Sequence, residues 1–542
     1  MGAHAARLNW IVGAIVLVAY AVGQIALFPG PHPFDPAYYF QIAVDYPHIS
    51  IDWWALRIGL VAPVHLAVLI LGISEVALYA VPFIAGLLLA ASVYVTMLLF
   101  FRERVIAAAA ALVAVLNVNY LLNGLYIFPD TIATATFTAG MLCLVLGRTR
   151  SEEERHRWMP GTAAVAAGFF FGWSYLIREF SPILLPVVVA AVLLLRYSLR
   201  RAALVAVAAV TTGALELLYG FVQYGDPLIH IHTLLERRKV SSRPARQHLF
   251  EVLRAKLNDP LDTVLVLPRL LLTWKVGWVF VFLIALFVVA LVRRRDRRLW
   301  LLAAWFFGFW VAMAGLALWR LPSGDLAVNV TNIRYWYPLL PPLAMGAFGG
   351  LYLLLAGTGE SHRRVRLAQV TAVSLAALAL VPGSIEFKSC AAKDVWRNEP
   401  AKRWDELRSW FATPASERYG VLWTDKSSQR LLIVYTRATF GSRYWQGEVE
   451  RLPRGGGSFT PPNPSRALIL VQRNRSALDL DELRRAWSPV FESSDRRLIL
   501  LAHVPPGQKA SASVDPTWWR SPPPRGQGVR PGTCGLSPYA GR

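Results

Sequence analysis

The hydrophobic positions of this 542-residue chain fall into long apolar runs between residues 9 and 384, and then give way to shorter, alternating stretches. A hydrocarbon core about 30 Å thick takes about 20 apolar helical residues to cross. Eleven runs fall near that length: 9–29, 78–100, 105–125, 130–147, 161–177, 180–196, 202–222, 276–292, 299–319, 335–356 and 367–384. One further run, 58–73, is shorter, carries Pro63 and His65, and is bounded by Arg57 and Glu75. The first run is followed by Pro and aromatic residues rather than by a small-residue cleavage site, and only Arg7 precedes it, so it reads as a retained helix and not a signal peptide. Beyond residue 385, β-like runs at 419–423, 430–435, 467–471 and 498–504 are separated by helical stretches at 401–411 and 480–487, the pattern of a small α/β unit. Past Pro505 the chain is mostly Pro, Gly, Ser and Arg. The expected fold is therefore mainly α, with residues 1–385 forming a polytopic membrane helix bundle, 386–505 an α/β domain and 506–542 a disordered tail.

Charge decides whether 58–73 crosses, because one extra crossing inverts every later loop. If it does not cross, Arg102 with Arg104, the 148–157 loop, Arg196 with Arg200 and Arg201, the 293–298 cluster and the 362–366 cluster all share the side of Arg7, the cytoplasmic side under the positive-inside rule. If it crosses, all five face outward while the amino terminus stays inside. The segment 57–75 accordingly reads as an interfacial or re-entrant helix on the outer face. The same assignment puts Asp35, Asp45, Asp52, Asp130, Glu179, Asp226 and Asp325 on the outer face, and makes the C-terminal domain extracytoplasmic in a multi-pass protein of the inner (plasma) membrane.

Composition agrees with a membrane solvent: 55% hydrophobic, 17% charged, mean hydropathy +0.41. A net charge of +22, from 56 basic and 34 acidic residues, would point to nucleic acid in a soluble protein. Here much of the excess sits in short loops, so the lipid bilayer and not nucleic acid is the expected partner. Cys143, Cys390 and Cys534 are widely spaced and make neither a disulfide framework nor a metal motif. No convincing internal repeat is visible, which disfavours an inverted-repeat transporter.

Candidate chemistry gathers on the outer side. In Phe34-Asp35-Pro36-Ala37-Tyr38-Tyr39, a helix beginning at Pro36 would make Asp35 its N-cap. The other reading makes Asp35 a general base for an attacking hydroxyl. Arg57, Arg178 and Arg334 stand at outer helix edges, where cations run against the charge rule; a guanidinium there can hold phosphate oxygens, snorkel to headgroups, or pair locally, as Arg178 would with Glu179 or Asp130. Asp130 can equally be a first-turn acid favourable to its helix dipole. Loop 223–275, with Glu236-Arg237-Arg238-Lys239, Arg243 and Arg246, reads as a mobile lid or as an amphipathic surface helix. His230 and His232 alternate in Pro-rich surroundings and do not read as a metal site. Trp53, Trp54, Trp274, Trp278, Trp319 and Trp336 lie near outer boundaries, as interface anchors do.

An Asp followed by Tyr-Tyr just after the first helix resembles the first-loop motif of GT-C membrane glycosyltransferases. Further stretches match in order: Arg57-Ile58-Gly59 with Pro63, Phe128-Pro129-Asp130, Arg178-Glu179, Tyr224-Gly225-Asp226-Pro227-Leu228, and Arg334-Tyr335-Trp336-Tyr337-Pro338, the last resembling the protein mannosyltransferase-like branch, family 39. The resemblance covers residues 1–385 and implies an inverting transfer of a sugar from a polyprenyl-phosphate donor to an extracytoplasmic acceptor, whether protein, lipid or cell-envelope glycan. It implies Asp35 as catalytic base with Asp52, or else Asp45, as a second acid, and Tyr38, Tyr39, Arg57, Asp130, Arg178, Glu179 and Arg334 as substrate-binding. No cofactor is required by the residues; the family leaves open a divalent metal ion, although Pro36 directly after Asp35 breaks the expected acidic pair. The rival functions are a transporter or flippase of an envelope lipid, with ionisable residues along a mid-membrane path, and a non-catalytic scaffold that binds envelope polymer. Glu216 is the one acid suited to such a path.

Overall fold

The computed structural model describes residues 3–28, 30–32, 34–49, 51–152, 159–178, 181–233, 264–272, 277–318, 333–357, 361–392, 401–453, 459, 461–472 and 487–503. Ala3–Ala26 (α1) leads to the first loop, which holds Asp35–Asp45 (α2) and Ile58–Leu71 (α3). The bundle continues through Glu75–Phe101 (α4), Arg104–Leu116 (α5), Val118–Asn123 (α6), Pro129–Glu152 (α7) and Met159–Ile177 (α8). A 3₁₀ turn, Ser181–Leu184, opens Leu185–Leu194 (α9), followed by Leu199–Gly213 (α10), Leu215–Tyr224 (α11), Val266–Leu272 (α12), Gly277–Arg294 (α13) and Arg297–Leu318 (α14). A 3₁₀ helix, Ile333–Leu339, runs into Leu340–Ala356 (α15), and His362–Ala392 (α16) closes the bundle.

Among the described residues, eight helices are long and apolar enough to cross a membrane. The apolar helices Arg104–Leu116, Gly161–Ile177 and Ser181–Leu194 are shorter. All eleven expected crossing segments are helical, and the chain is a multi-pass membrane protein. Its outward faces stay apolar, with Ile15, Val18, Val22, Val207, Val210 and Val370 exposed, as a hydrocarbon solvent demands. α7 is the most enclosed span, and it tolerates a run of threonines because Thr134, Thr136 and Thr138 return their hydroxyls to the helix's own carbonyls at Asp130, Ile132 and Thr134. α8 meets α10 backbone to backbone: a Cβ on Gly168 would lie 2.3 Å from the Val205 carbonyl oxygen, and one on Gly172 2.5 Å from that of Ala209.

The 105–125 run is not one helix. Asn117 ends α5 by donating Nδ2 to the Val113 and Ala114 carbonyls at 3.0 Å each, and caps α6 by accepting from the amides of Asn119 and Tyr120 at 3.1 Å each. α3, at 14 residues, is about 21 Å long, too short for a core of about 30 Å. It packs instead on α2 and α4, where His65 Nδ1 meets the Ala43 carbonyl at 2.7 Å. The end of α1 and the start of α4 therefore lie at one end of the bundle, the arrangement that the basic loops require.

The C-terminal unit comprises Ala401–Phe411 (α17), Val421–Thr424 (β1), Lys426–Tyr435 (α18), Glu448–Arg451 (β2), Ala467–Gln472 (β3), Trp487–Glu492 (β4) and Leu498–His503 (β5). Its sheet has the order β2-β1-β3-β5-β4, parallel across β2, β1 and β3 and antiparallel across β3, β5 and β4. One expectation fails here. The 430–435 run is helical, because Asp425 caps α18 by accepting from the Ser427 and Ser428 amides at 2.8 and 3.1 Å and so starts the helix before the apolar run begins. Of the 480–487 stretch only Trp487 is described, and it opens β4; residues 473–486 lie outside the described residues, as does the 506–542 tail.

This unit is docked on the bundle end that carries the first loop. Glu75, the first residue of α4, pairs with Arg408 of α17 at 2.6 Å and accepts from the Tyr435 hydroxyl of α18 at 2.9 Å. The hydrophobic core runs unbroken from Val16 and Tyr20 in the bundle to Trp404, Leu432 and Leu470 in the α/β unit.

Candidate active site

Four segments far apart in the chain bring charged side chains together at this end of the bundle. Asp35 is the first residue of α2, and not its N-cap: Phe34 occupies that position and makes no side-chain capping bond. The Asp35 carboxylate instead accepts from Arg334 Nη2 at 3.3 Å. Arg334 Nε stands 3.7 Å from Asp130 Oδ2, and Asp130 Oδ1 stands 3.1 Å from Arg178 Nε. The result is an alternating ladder, Asp35, Arg334, Asp130, Arg178, with one acid open and the other enclosed: the Asp35 side chain is 30% exposed and that of Asp130 0%.

Local chemistry explains why each group stands where it does. Pro36 in the first turn pre-sets α2, whose Pro36, Ala37, Tyr39, Phe40, Ile42 and Ala43 are buried, leaving Asp35 at its open end. Pro129 and Asp130 begin α7, so the carboxylate also faces that helix's positive end. Arg178 follows the last residue of α8, its guanidinium 4.8 Å above the Tyr335 ring. The 3₁₀ helix Ile333–Leu339 is pinned to α6 through Tyr337, which donates to the Asn119 carbonyl and accepts from Asn123 Nδ2, each at 2.7 Å. Arg334 then rests 4.4 Å over Phe128.

Tyr39 and Arg57 form a second, adjoining cluster. Arg57 is buried, donates to the Tyr39 hydroxyl, and lies 5.7 and 5.4 Å from the Trp53 and Trp54 rings. This is an aromatic enclosure for a cation and not a headgroup-snorkelling position. Asp52 is not a rung of the ladder; it accepts from the Tyr38 hydroxyl, one helical turn from Asp35. Asp45 ends α2, and burial raises its pKa above the usual carboxylate value. Glu179, Asp325, Trp274, Trp319 and the 236–246 basic cluster lie outside the described residues.

Glu216 is enclosed, accepts from Tyr175 and contacts His230, while His232 Nδ1 meets Asp226 at 2.6 Å. Neither pair extends to a third ligand, and among the described residues no group of three or more His, Cys, Asp or Glu is placed for a metal ion. At the ladder itself both Asp130 oxygens face arginines, Asp35 meets Arg334, and Asp52 accepts from Tyr38. A divalent cation needs several shared oxygens, so the described residues do not fit one; positive charge here is arginine.

One contributor is illegible in the loop motifs. Arg430 of α18 lies 4.0 Å over the Tyr38 ring, with Lys426 Nζ 6.0 Å from it. Read as a strand, 430–435 gives no reason to place Arg430 here; read as a helix, it puts Lys426 and Arg430 on one face, four residues apart.

No family model and no curated protein matches the sequence. Solved structures do share the fold. ArnT from Cupriavidus metallidurans, bound to undecaprenyl phosphate, aligns over 92% of this chain and 99% of its own with a TM-score of 0.56 at 13% identity. Its apo state aligns with a TM-score of 0.55 at 12% identity over 92% and 98% of the two chains. The oligosaccharyltransferase of Archaeoglobus fulgidus, in complex with Zn and sulfate, aligns over 80% of this chain with a TM-score of 0.49 at 17% identity; this chain spans 62% of its length. The architecture expected from the sequence is the one observed, a polytopic helix bundle carrying a small C-terminal α/β unit, and ArnT shares that fold.

Proposed function

We propose that the chain is an inverting glycosyltransferase that moves a sugar from a polyprenyl-phosphate donor to an extracytoplasmic acceptor. The observation that carries this reading is the Asp35–Arg334–Asp130–Arg178 ladder, which gathers an open carboxylate and two guanidiniums at the end of a bundle whose fold also serves a protein solved with undecaprenyl phosphate. The acceptor hydroxyl attacks the anomeric carbon and gives its proton to Asp35. The bond from that carbon to the phosphate oxygen breaks, and its electron pair leaves with the polyprenyl phosphate. Arg334, Arg178 and the neighbouring Arg57 neutralise the developing charge; a guanidinium has five N–H donors, enough to serve a carboxylate and a phosphate together.

A transporter would string ionisable groups along a mid-membrane path. Here the ladder, the Arg57 enclosure and Asp52 all stand at one end, which favours surface chemistry over passage. The test is incubation of the purified chain in nanodiscs with a panel of polyprenyl-phosphate sugars, scoring release of polyprenyl phosphate. Release that requires Asp35 supports the transferase; sugar-lipid movement across the bilayer without release supports the transporter.

A further inference from the structure

Arg430 poses a physical problem that the ladder does not solve. It is partly buried, its Nε has no hydrogen-bond partner, and among the described residues no carboxylate pairs with it. Burying a guanidinium without hydrogen bonds is unfavourable, and burial pulls its pKa below the usual value even though Tyr38, Asp35 and Asp52 are near enough to oppose that shift. Lys426, one turn earlier on the same face, and Arg451 at the end of β2 add like charge. Its cation–π contact with Tyr38 satisfies the face of the guanidinium but none of its N–H groups.

We propose that Arg430, over Tyr38, is an oxyanion subsite of the phosphate class, contributed by the α/β unit to the acceptor side of the site. The side follows from geometry and rests on the transferase reading. Tyr38 is one helical turn from Asp35 and donates to Asp52, so Arg430 stands with the base. In an inverting displacement the base and the leaving group occupy opposite faces of the anomeric carbon. The donor phosphate therefore belongs with Arg334 and Arg178, and an anion at Arg430 belongs to the acceptor. A phosphate there would take the unused N–H donors in a bidentate contact. The α/β unit would then select an acceptor carrying negative charge close to the hydroxyl that reacts.

The test reads Arg430 directly. The full chain in neutral detergent is treated with phenylglyoxal, and modification of each arginine is followed by mass spectrometry with dodecyl phosphate, with inorganic phosphate, or with neither. Saturating dodecyl phosphate should slow modification of Arg430 about tenfold, and Arg430→Gln should weaken dodecyl phosphate binding by about tenfold or more, the weight of one charge-assisted contact. Arg430→Lys, which keeps the charge, should fall between. Equal protection by inorganic phosphate would show that the site takes a free phosphate; protection by dodecyl phosphate alone would show that it takes a lipid-borne one. If Arg430 is only a brace on Tyr38, neither probe protects it, and Arg430→Gln lowers the unfolding temperature without changing phosphate affinity; that result overturns the proposal. Asp35→Asn separates the two readings, because it should abolish sugar transfer and leave protection of Arg430 intact. Protection without any wild-type transfer would leave the subsite standing and remove the transferase.

Discussion

Arg334 and Asp35, 299 positions apart in the chain, meet at 3.3 Å, and the same guanidinium turns its Nε toward Asp130. Because Arg334 stands between the exposed and the enclosed acid, it holds Asp35 at the mouth of the site. Replacing it tests that role. Arg334→Lys keeps the charge but cannot reach both carboxylates with a planar fork. Transfer should fall by about 100-fold or more, the range of losing an electrostatic stabiliser, with a smaller change in unfolding temperature. Wild-type turnover in Arg334→Lys would show that the fork geometry is not used.

Asp130 is the carboxylate that Arg178 and Arg334 share, and its side chain is fully enclosed. Removing one member of a buried ion pair costs about 3–5 kcal/mol. Asp130→Asn should therefore unfold at a clearly lower temperature in detergent than either wild type or Asp35→Asn. Equal melting of the two variants would mean that the buried pairing does not hold this end of the bundle.

Glu75 joins the bundle to the α/β unit through Arg408 and Tyr435. Glu75→Gln keeps the size and loses the charge, a change of about 1–3 kcal/mol for a charged hydrogen-bonded group. Hydrogen exchange should then rise across α17 and α18 while α7 stays protected. Unchanged exchange in those two helices contradicts the joint.

Gly59 lets α3 lie against the end of α8: an added Cβ would stand 2.7 Å from Leu176 Cβ and 2.8 Å from the Ile177 amide nitrogen. Gly59→Ala should destabilise the protein by about 1–3 kcal/mol through overpacking and disturb the adjacent Arg57 enclosure. Gly72, with φ +70°, ψ 177° and open space around it, meets no clash and carries only the penalty of a backbone conformation reserved for glycine, about 1–3 kcal/mol. Transfer assays should show Gly59→Ala as the more impaired variant, because only its clash lies beside the Arg57 enclosure; the opposite ranking would place α3 elsewhere.

Asp495 gives the α/β unit an acid-sensitive tie. Burial alone would raise its pKa, but hydrogen bonds from Arg403, with Nε at 2.8 Å, and from Ser493 at 2.6 Å hold it below the usual carboxylate value. A carboxyl whose pKa is depressed on folding adds stability that is complete above its unfolded pKa of about 3.9 and is lost as pH falls through the folded value. Exchange of the β5 amides should accelerate below about pH 4 in the wild type. Asp495→Asn should be less stable at neutral pH and lack that acid limb, so parallel acid limbs in the two proteins would rule out this tie.

Much of this was legible in the chain because membrane geometry restricts where charge can go. Asp35, Asp130, Arg178 and Arg334 each stand at a helix end on the side opposite the basic loops, so helix parity alone brings them to one end. Periodicity does not say which of them touch, and the resemblance that offered Asp52, or else Asp45, as a second acid does not show that Asp52 accepts from the Tyr38 hydroxyl. The break at Asn117 was hidden because its side chain replaces the missing backbone bonds inside an apolar run. β2 was hidden because Glu448–Arg451 is a polar edge strand, and β4 because Pro489 sits at a register shift in it. Arg430 was hidden by the mistaken strand at 430–435, since only a helix capped by Asp425 points it at Tyr38.

The account stands most directly on Asp35. Wild-type protein and Asp35→Asn, both folded by thermal melt, should be compared in nanodiscs for release of polyprenyl phosphate from a panel of polyprenyl-phosphate sugars in the presence of envelope extract as acceptor. The wild type should release it with at least one sugar, and Asp35→Asn should be slower by about 100- to 10,000-fold, the range of a lost general base. Equal release by the two proteins would contradict the assignment of Asp35 as the group that takes the acceptor's proton.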